Sequence, residues 1–308
     1  LELKDADPTA GLVHTLTHGR LYGTLVDLFN RAAPIMLVAL GMTLVIATGG
    51  IDLSVGAVMA VAGALAIQLL GPPGCSAPTA ILIALAAGLL AGAWNGFLVA
   101  VLGVQPIVAT LVLMVAGRGV AQLITGGQIL TTTDAAFAAL GGGYILLLPV
   151  AVLIALGLFL LTALLTRGTA LGLFIESIGD NRTASRYAGV RVRSVTLAAY
   201  AFSGLCAALA GLIIAANIKA ADANNAGLYL ELDAILAAVI GGTALTGGRF
   251  TLRGAVLGAL IIQLLNLTIL RWPVPAEFNQ VVKAIVVLAV CLLQSESLRA
   301  LLWRRRSA

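Results

Sequence analysis

Side chains able to do chemistry are so sparse in this sequence that each can be taken separately. The two histidines, His14 and His18, both lie in the first polar stretch. Cys75, Cys206 and Cys291 are far apart, and two of them sit inside apolar runs, so neither a disulfide framework nor a metal cluster is indicated. No H-E-x-x-H, C-x-x-C or Ser/His/Asp grouping occurs. An intramembrane enzyme would need a dyad or a metal site, and the apolar runs supply neither.

The most informative segment is Gly41–Met59, GMTLVIATGGIDLSVGAVM. An apolar run meets Thr48, Gly49 and Gly50, then Asp52 and Ser54, and then resumes. Consecutive glycines break a helix, and an ionisable group at this depth faces a cavity or a partner. Broken helices whose freed backbone groups line a cavity are a usual way to build a translocation site. The same Asp-Leu-Ser also reads as an N-cap, with Asp52 or Ser54 accepting backbone N–H groups of the following helix. Both readings stand on the sequence.

Other polar residues inside or beside the apolar runs are Asn95, Gln105, Thr110, Arg118, Gln122, Gln263, Asn266 and Gln280. Arg118 either snorkels outward or pairs with a carboxylate such as Asp52. Asp52, Ser54, Asn95, Gln105, Thr110, Arg118 and Gln122 form a candidate polar path, compatible with a hydroxyl-rich ligand such as a sugar. They are equally compatible with interhelical hydrogen bonds.

The stretch Arg167–Arg193 is long and polar for this chain, with Arg167, Arg182, Arg186, Arg191 and Arg193 set against Glu176 and Asp180. Asp180 or Asn181 supplies helix-start chemistry, and Gly189 can stop the short amphipathic turn that follows. Arg182, Arg186 and Tyr187 are expected on its exposed side, where Arg and Tyr suit docking of a soluble partner. Ala184, Tyr187 and Ala188 give the turn an apolar face that needs cover. The plainer reading is a solvated basic loop that serves topology alone.

These residues must be positioned by membrane helices. Of 308 residues, 60% are hydrophobic and 10% charged, against about 25% charged in an average soluble domain. The 18 Lys+Arg and 13 Asp+Glu are too dispersed for a nucleic-acid surface. A hydrocarbon core of about 30 Å takes about 20 apolar residues as a helix. Nine candidate spans follow, at Ala32–Ala47, Ser54–Leu70, Ala80–Gly103, Pro106–Thr125, Gly143–Thr166, Val195–Asn217, Leu232–Gly248, Gly254–Leu270 and Asn279–Gln294. The fold class is an all-α polytopic bundle, because every backbone polar group in lipid must be satisfied internally. Gly88, Gly92 and Gly96, at helical spacing, suit close helix approach.

Cytoplasmic loops retain Arg and Lys. That rule puts Arg167–Arg193 and the tail with Arg299, Arg304, Arg305 and Arg306 inside, four spans apart. Lys219–Glu231 and Trp272–Phe278 then fall outside, and Arg249 and Arg253 inside. The organisation is an external segment 1–31, a membrane domain 32–298 containing the loop 167–193, and a basic cytoplasmic tail 299–308. Parity places the first residues outside, which predicts a further span upstream, ten in all.

The segments GMTLVIATGGIDLSVGAVMA, GDNRTASRYAGV and AVIGGTALTGGRF resemble permease subunits of the ribose/galactose/arabinose class of ABC sugar importers. LFNRAAP, LVLMVAGRGVAQLIT, ANNAGLYLELDAIL and QVVKAIVVL resemble in particular the galactofuranose permeases of that class, and the likeness runs from Gly19 onward. It implies a type II-like importer bundle of ten spans in the bacterial inner membrane, with the C-terminus cytoplasmic. It also implies an ABC ATP-binding subunit, a second permease in a heterodimer or homodimer, and a periplasmic sugar-binding protein. Glu176, Gly179, Asp180, Asn181, Arg182, Ala184, Arg186, Tyr187 and Gly189 correspond by this resemblance to the coupling helix. The chain has no Gly-x4-Gly-Lys-Ser/Thr P-loop, so it binds no cofactor of its own, and ATP and Mg belong to the partner subunit. A proton-coupled secondary transporter, with Asp52 titrating and Arg118 as its partner, is the rival class.

Overall fold

The computed structural model describes residues 14–17, 20–72, 74–145, 147–271 and 281–286. In chain order the elements are β1 (His14–Thr17), β2 (Arg20–Tyr22), α1 (Thr24–Ala47), α2 (Val55–Leu70), α3 (Ala77–Ala100), α4 (Pro106–Thr125), β3 (Leu130–Thr131), α5 (Ala135–Gly142), β4 (Tyr144–Ile145), β5 (Leu148–Pro149), α6 (Val150–Gly168), α7 (Leu171–Asp180), α8 (Arg182–Tyr187), α9 (Val192–Ile218), β6 (Ala220–Ala221), α10 (Leu230–Ile240) and α11 (Leu252–Arg271). Residues 281–286 are helical. Among the described residues the strands pair as three short antiparallel ribbons, β1 with β2, β3 with β6 and β4 with β5.

Among the described residues six helices, α1, α3, α4, α6, α9 and α11, are long and apolar enough to cross a membrane. Every residue from Ala32 to Ala47 is buried, so α1 is enclosed by other helices along that whole length. Lipid-side apolar residues are instead displayed by α3, α4 and α6, for example Leu90, Val115 and Leu164. The helix α9 is met by α1, α2 and α3, and small residues make each approach close. A Cβ at Gly41 would stand 2.8 Å from the Ser203 Cα, and one at Gly63 would stand 3.2 Å from the Ala215 Cβ. On α3, a Cβ at Gly92 would stand 3.0 Å from the Gly204 Cα, and one at Gly96 would stand 2.9 Å from the Leu197 Cα. The glycine spacing on α3 therefore does what small residues do at membrane helix interfaces.

Several boundaries differ from those expected. The first helix begins at Thr24, ahead of Ala32, and its added turns carry Asp27 and Arg31 as an exposed i, i+4 ion pair. Pro34 lies within this helix. The pair α4 and Pro106–Thr125 coincide. The fifth run loses Gly143–Pro149 to the β4–β5 hairpin, preceded by α5, whose N-cap Asp134 accepts the Phe137 N–H at 2.8 Å. The third, sixth and eighth runs shift by a few residues, to α3, α9 and α11.

The seventh run, Leu232–Gly248, is corrected most. Its helix α10 has 11 residues, a rise of about 16 Å, roughly half of a hydrocarbon core. Beyond Ile240 the chain turns at Gly242, Gly247 and Gly248, all at positive φ, conformations that glycine adopts freely. On the other side of α10, residues 222–229 form a turn-rich segment that packs Gly227 against Gly56 of α2. Of the ninth run only 281–286 is described, and the tail arginines, Gln280, Cys291 and residues 1–13 lie outside the described residues.

Candidate functional site

The break between α1 and α2 is where the polar side chains converge. Thr48 and Gly49 close the last turn of α1 by donating their backbone N–H groups to its final carbonyls, Thr48 N to Val45 O at 3.1 Å and Gly49 N to Ile46 O at 2.8 Å. Gly49 has φ +78°, which lets the chain reverse there. Asp52 follows, 1% exposed. Its Oδ1 accepts the Ser54 N–H at 3.1 Å and the Ser54 hydroxyl at 2.6 Å, and its Oδ2 accepts the Ser203 hydroxyl of α9 at 2.8 Å. Asn95 of α3 donates its Nδ2 to Ser54 Oγ at 2.9 Å. The Ile51 carbonyl accepts from Tyr200 Oη of α9 and Thr110 Oγ1 of α4, each at 3.4 Å.

This settles how Asp52 and Ser54 act locally. Ser54 is the N-cap residue of α2 but makes no side-chain cap hydrogen bond. Asp52 instead holds the Ser54 N–H from two residues upstream, and its second oxygen ties the break to α9. Ser203, 151 residues away, is the partner that no local pattern could reveal. Among the described residues no Lys or Arg is ion-paired with Asp52.

Arg118 does not pair with Asp52. Its Nη1 donates to the Ala223 and Ala226 carbonyls at 3.0 and 2.6 Å. One turn along α4, Gln122 Nε2 donates to Asn224 Oδ1 at 2.7 Å. Together they clasp the 222–229 segment, whose turn is set by Asp222 accepting from the backbone N–H groups of Asn224 and Asn225. The Asn225 side-chain amide, at 2.7 Å, and those backbone donors hold the Asp222 carboxyl below the usual carboxylate range. Gln105, at the other end of α4, is exposed, as is Gln122. Of the candidate path residues, Asp52, Ser54, Asn95 and Thr110 thus come together in one buried cluster, while Arg118 and Gln122 form a second group and Gln105 stands apart.

Gln263 of α11 is buried, and Asn266 is half-buried. A pair not singled out by residue type is Asp233 of α10 and Lys283. Lys283 Nζ reaches the Asp233 oxygens at 3.0 and 2.8 Å, largely buried, and links the seventh and ninth apolar runs. The available signal was two opposite charges inside otherwise apolar stretches.

The basic stretch 167–193 is two helices rather than one turn in a loop. Glu176, Gly179 and Asp180 belong to α7, and α8 starts afresh after Asn181. Between the two possible caps, Asn181 is the one used, its Oδ1 accepting the Ala184 N–H at 2.9 Å. Gly189, at φ +86°, ends the turn. Arg182, Ala184 and Arg186 are exposed, Tyr187 is 89% exposed, and Ser185 is the buried member of α8. The apolar side of α8 is therefore uncovered in the single chain. Beside it lies a groove of about 860 Å³ lined by Arg182, Arg186, Tyr187, Arg191 and Arg193.

Residues 24–291 match the family described as branched-chain amino acid transport system / permease component. The chain is 58% identical over 292 residues to the galactofuranose transporter permease protein YtfT of Escherichia coli strain K12, covering 95% of this chain and 85% of that protein. It is 44% identical over 290 residues to the fructose import permease protein FruF of Bifidobacterium longum, covering 92% and 80%. It is 39% identical over 280 residues to the ribose import permease protein RbsC of Escherichia coli strain K12, covering 89% and 87%. No solved structure matches the chain.

Proposed function

The chain belongs to this family of transport-system permeases, and from that premise we propose that it is the membrane-spanning permease subunit of an ABC sugar importer, with galactofuranose as its cargo. The family description names amino acid transport, whereas the relatives carry the names of sugar permeases. The sugar reading is preferred because identity rises to 58% at the galactofuranose permease. The protein is a multi-pass inner-membrane subunit and supplies no ATP-hydrolysing site. ATP and Mg bind a partner ATPase, a binding protein delivers the sugar from outside, and a second permease completes the path. Alternating access then follows from closure of the ATPases against the permeases.

The observation that carries this reading is the exposed α8 with its arginine-lined groove. A well-capped six-residue helix that leaves Arg182, Arg186 and Tyr187 open to solvent suits a soluble partner. On this reading the face holding α7, α8 and the α1–α2 break is cytoplasmic. Along the path, Gln105 and Gln122 are the candidates a sugar can touch, because they are exposed. Asp52, Ser54, Asn95 and Thr110 act as framework behind it, and Arg118 fixes the 222–229 segment. The binding protein selects the sugar, so a tight site in the permease is not required.

Replacing Arg182, Arg186 and Tyr187 together by Ala should abolish co-purification of the ATP-binding subunit while membrane insertion persists. Unchanged co-purification would remove the docking role. Sugar uptake into vesicles driven by a proton gradient, with no ATP-binding subunit present, would instead establish the secondary-transporter class.

A further inference from the structure

We propose, on the permease reading above, that α7–α8, the 241–250 segment and the C-terminal end of α1 move as one rigid unit, so that displacement of the docking helix reaches the Asp52 cluster without an intervening joint.

The last carbonyls of a helix have no partner within it. At the end of α1 the Leu44, Val45 and Ile46 carbonyls are taken by the turn that follows, and the next two, of Ala47 and Thr48, take partners from the docking side. Gly248 N donates to the Ala47 carbonyl at 3.1 Å, and Arg182 Nη2 of α8 reaches the Thr48 carbonyl at 3.5 Å. A guanidinium at this end also complements the negative pole of the helix. The two contacts arrive from segments far apart in sequence and end on consecutive residues, the last of α1 and its C-cap.

Packing at this junction leaves no play. A Cβ at Gly179 would meet the Ala47 carbonyl and the Gly248 nitrogen, and would lie 3.1 Å from the Ala47 carbonyl carbon. A Cβ at Gly247 would stand 3.0 Å from both the Gly179 Cα and the Gly49 nitrogen. Three backbones therefore touch directly, with no flexible side chain between them. Close-packed interiors of this kind shift as bodies and do not deform gradually. From Thr48 the chain runs four residues to Asp52, whose cluster grips α3 and α9 through Asn95 and Ser203. Tyr200 Oη reaches the Ile51 carbonyl on the way, at 3.4 Å. Gly179 and Gly248 are thus positioning residues for transport, as they permit contact and touch no cargo.

The test uses the complete importer in proteoliposomes, with radiolabelled galactose delivered by its binding protein. A Cβ at Gly248 would lie 3.4 Å from the Asp180 Cβ, close to the about 3.5–4.5 Å that a disulfide spans. In a background with Cys75, Cys206 and Cys291 replaced by Ala, the pair Asp180→Cys and Gly248→Cys should cross-link on oxidation. Gly248→Cys is strained at φ +83° and lowers import by itself, so the comparison is within the pair: import by the oxidised sample should stay within twofold of the reduced sample, because the two segments never separate, and a reduced pair without measurable import would pass the decision to Gly179→Ala. A tenfold fall on oxidation, recovered with dithiothreitol, would overturn the proposal by showing that the contact opens in the cycle. Conversely, Gly179→Ala should cut import at least tenfold with the ATP-binding subunit still co-purifying and its basal ATP hydrolysis retained. Normal import by this variant, or loss of co-purification, would also overturn it. Failure of the unmodified chain to co-purify with the ATPase would refute the permease reading instead.

Discussion

Asp52 offers the sharpest test of whether the polar cluster is framework or path. Replacing it by Ala strands the Ser54 N–H and the two hydroxyls of Ser54 and Ser203 in a site that is 1% exposed. Hydrogen bonds to a charged group contribute about 1.5–3 kcal/mol in soluble proteins, but interhelical ones in membranes average only about 0.6 kcal/mol. The hydroxyls can also turn to their own helix carbonyls. Asp52→Ala should therefore cost about 2–4 kcal/mol in total. Asn is different. Its carbonyl can keep both Ser54 contacts, while its amide donates to Ser203 Oγ, which reverses its role. Asp52→Asn should cost about 1 kcal/mol. At roughly 2 °C per kcal/mol for a long chain, the shifts are about 4–8 °C and about 2 °C. Cys206, fully buried three residues from Ser203, is a built-in reporter, since a thiol-reactive fluorophore labels it only on unfolding. The measurement is its thermal labelling curve in detergent, with Cys75 and Cys291 replaced by Ala. Equal shifts for Ala and Asn would refute the hydrogen-bond account. Loss of import by Asp52→Asn at an unchanged midpoint would put Asp52 on the path and refute the framework role.

Two further outcomes follow from the same geometry. Lys283→Met leaves Asp233 as an unpaired buried charge, so it should lower stability by about 3–5 kcal/mol, and adding Asp233→Leu should restore most of the loss; no recovery in the double variant would mean the pair is not a structural link. Asp222 has a depressed pKa through its Asn225 and Asn224 donors, so its contribution is present above the ordinary unfolded value of about 3.9 and is lost as pH falls through the lower folded value. Hydrogen exchange at the Asn224 and Asn225 amides, corrected for the intrinsic rate, should speed up only in that acidic window, and pH-independent protection would show that Asp222 does not set the turn.

Much of this architecture was legible because it depends on local chemistry. The α4 boundaries follow from Pro106 at the first helical position and Gly126 at positive φ after the last. The α1–α2 break follows from Gly49 and Gly50, the α8 start from Asn181, and the α3 approach from glycines at helical spacing. What could not be read depends on distance in sequence or on packing that overrides hydropathy. Leu232–Gly248 is apolar enough to suggest a span, yet Gly241 and Gly254 abut, and Thr251 hydrogen-bonds the Gly241 carbonyl, so the chain leaves the helix there. Residue type marked Arg118 as a cation that either snorkels outward or pairs with a carboxylate. The Ala223 and Ala226 carbonyls take its Nη1, more than a hundred residues along the chain, where no local pattern could point.

The scarcity of charge is thus explained by where the polar groups are used. Asp52 with Ser203, Asn95 with Ser54, Asp233 with Lys283, and Arg118 with the Ala223 and Ala226 carbonyls each join two segments of the bundle. In lipid, apolar contact alone does not drive helices together, so direction-specific ties and close glycine contacts must fix their arrangement. A chain whose polar groups are committed in this way has few left to grip a sugar tightly. On the proposed reading, in which a binding protein delivers a selected sugar, weak holding is sufficient, because a tightly bound cargo is released slowly.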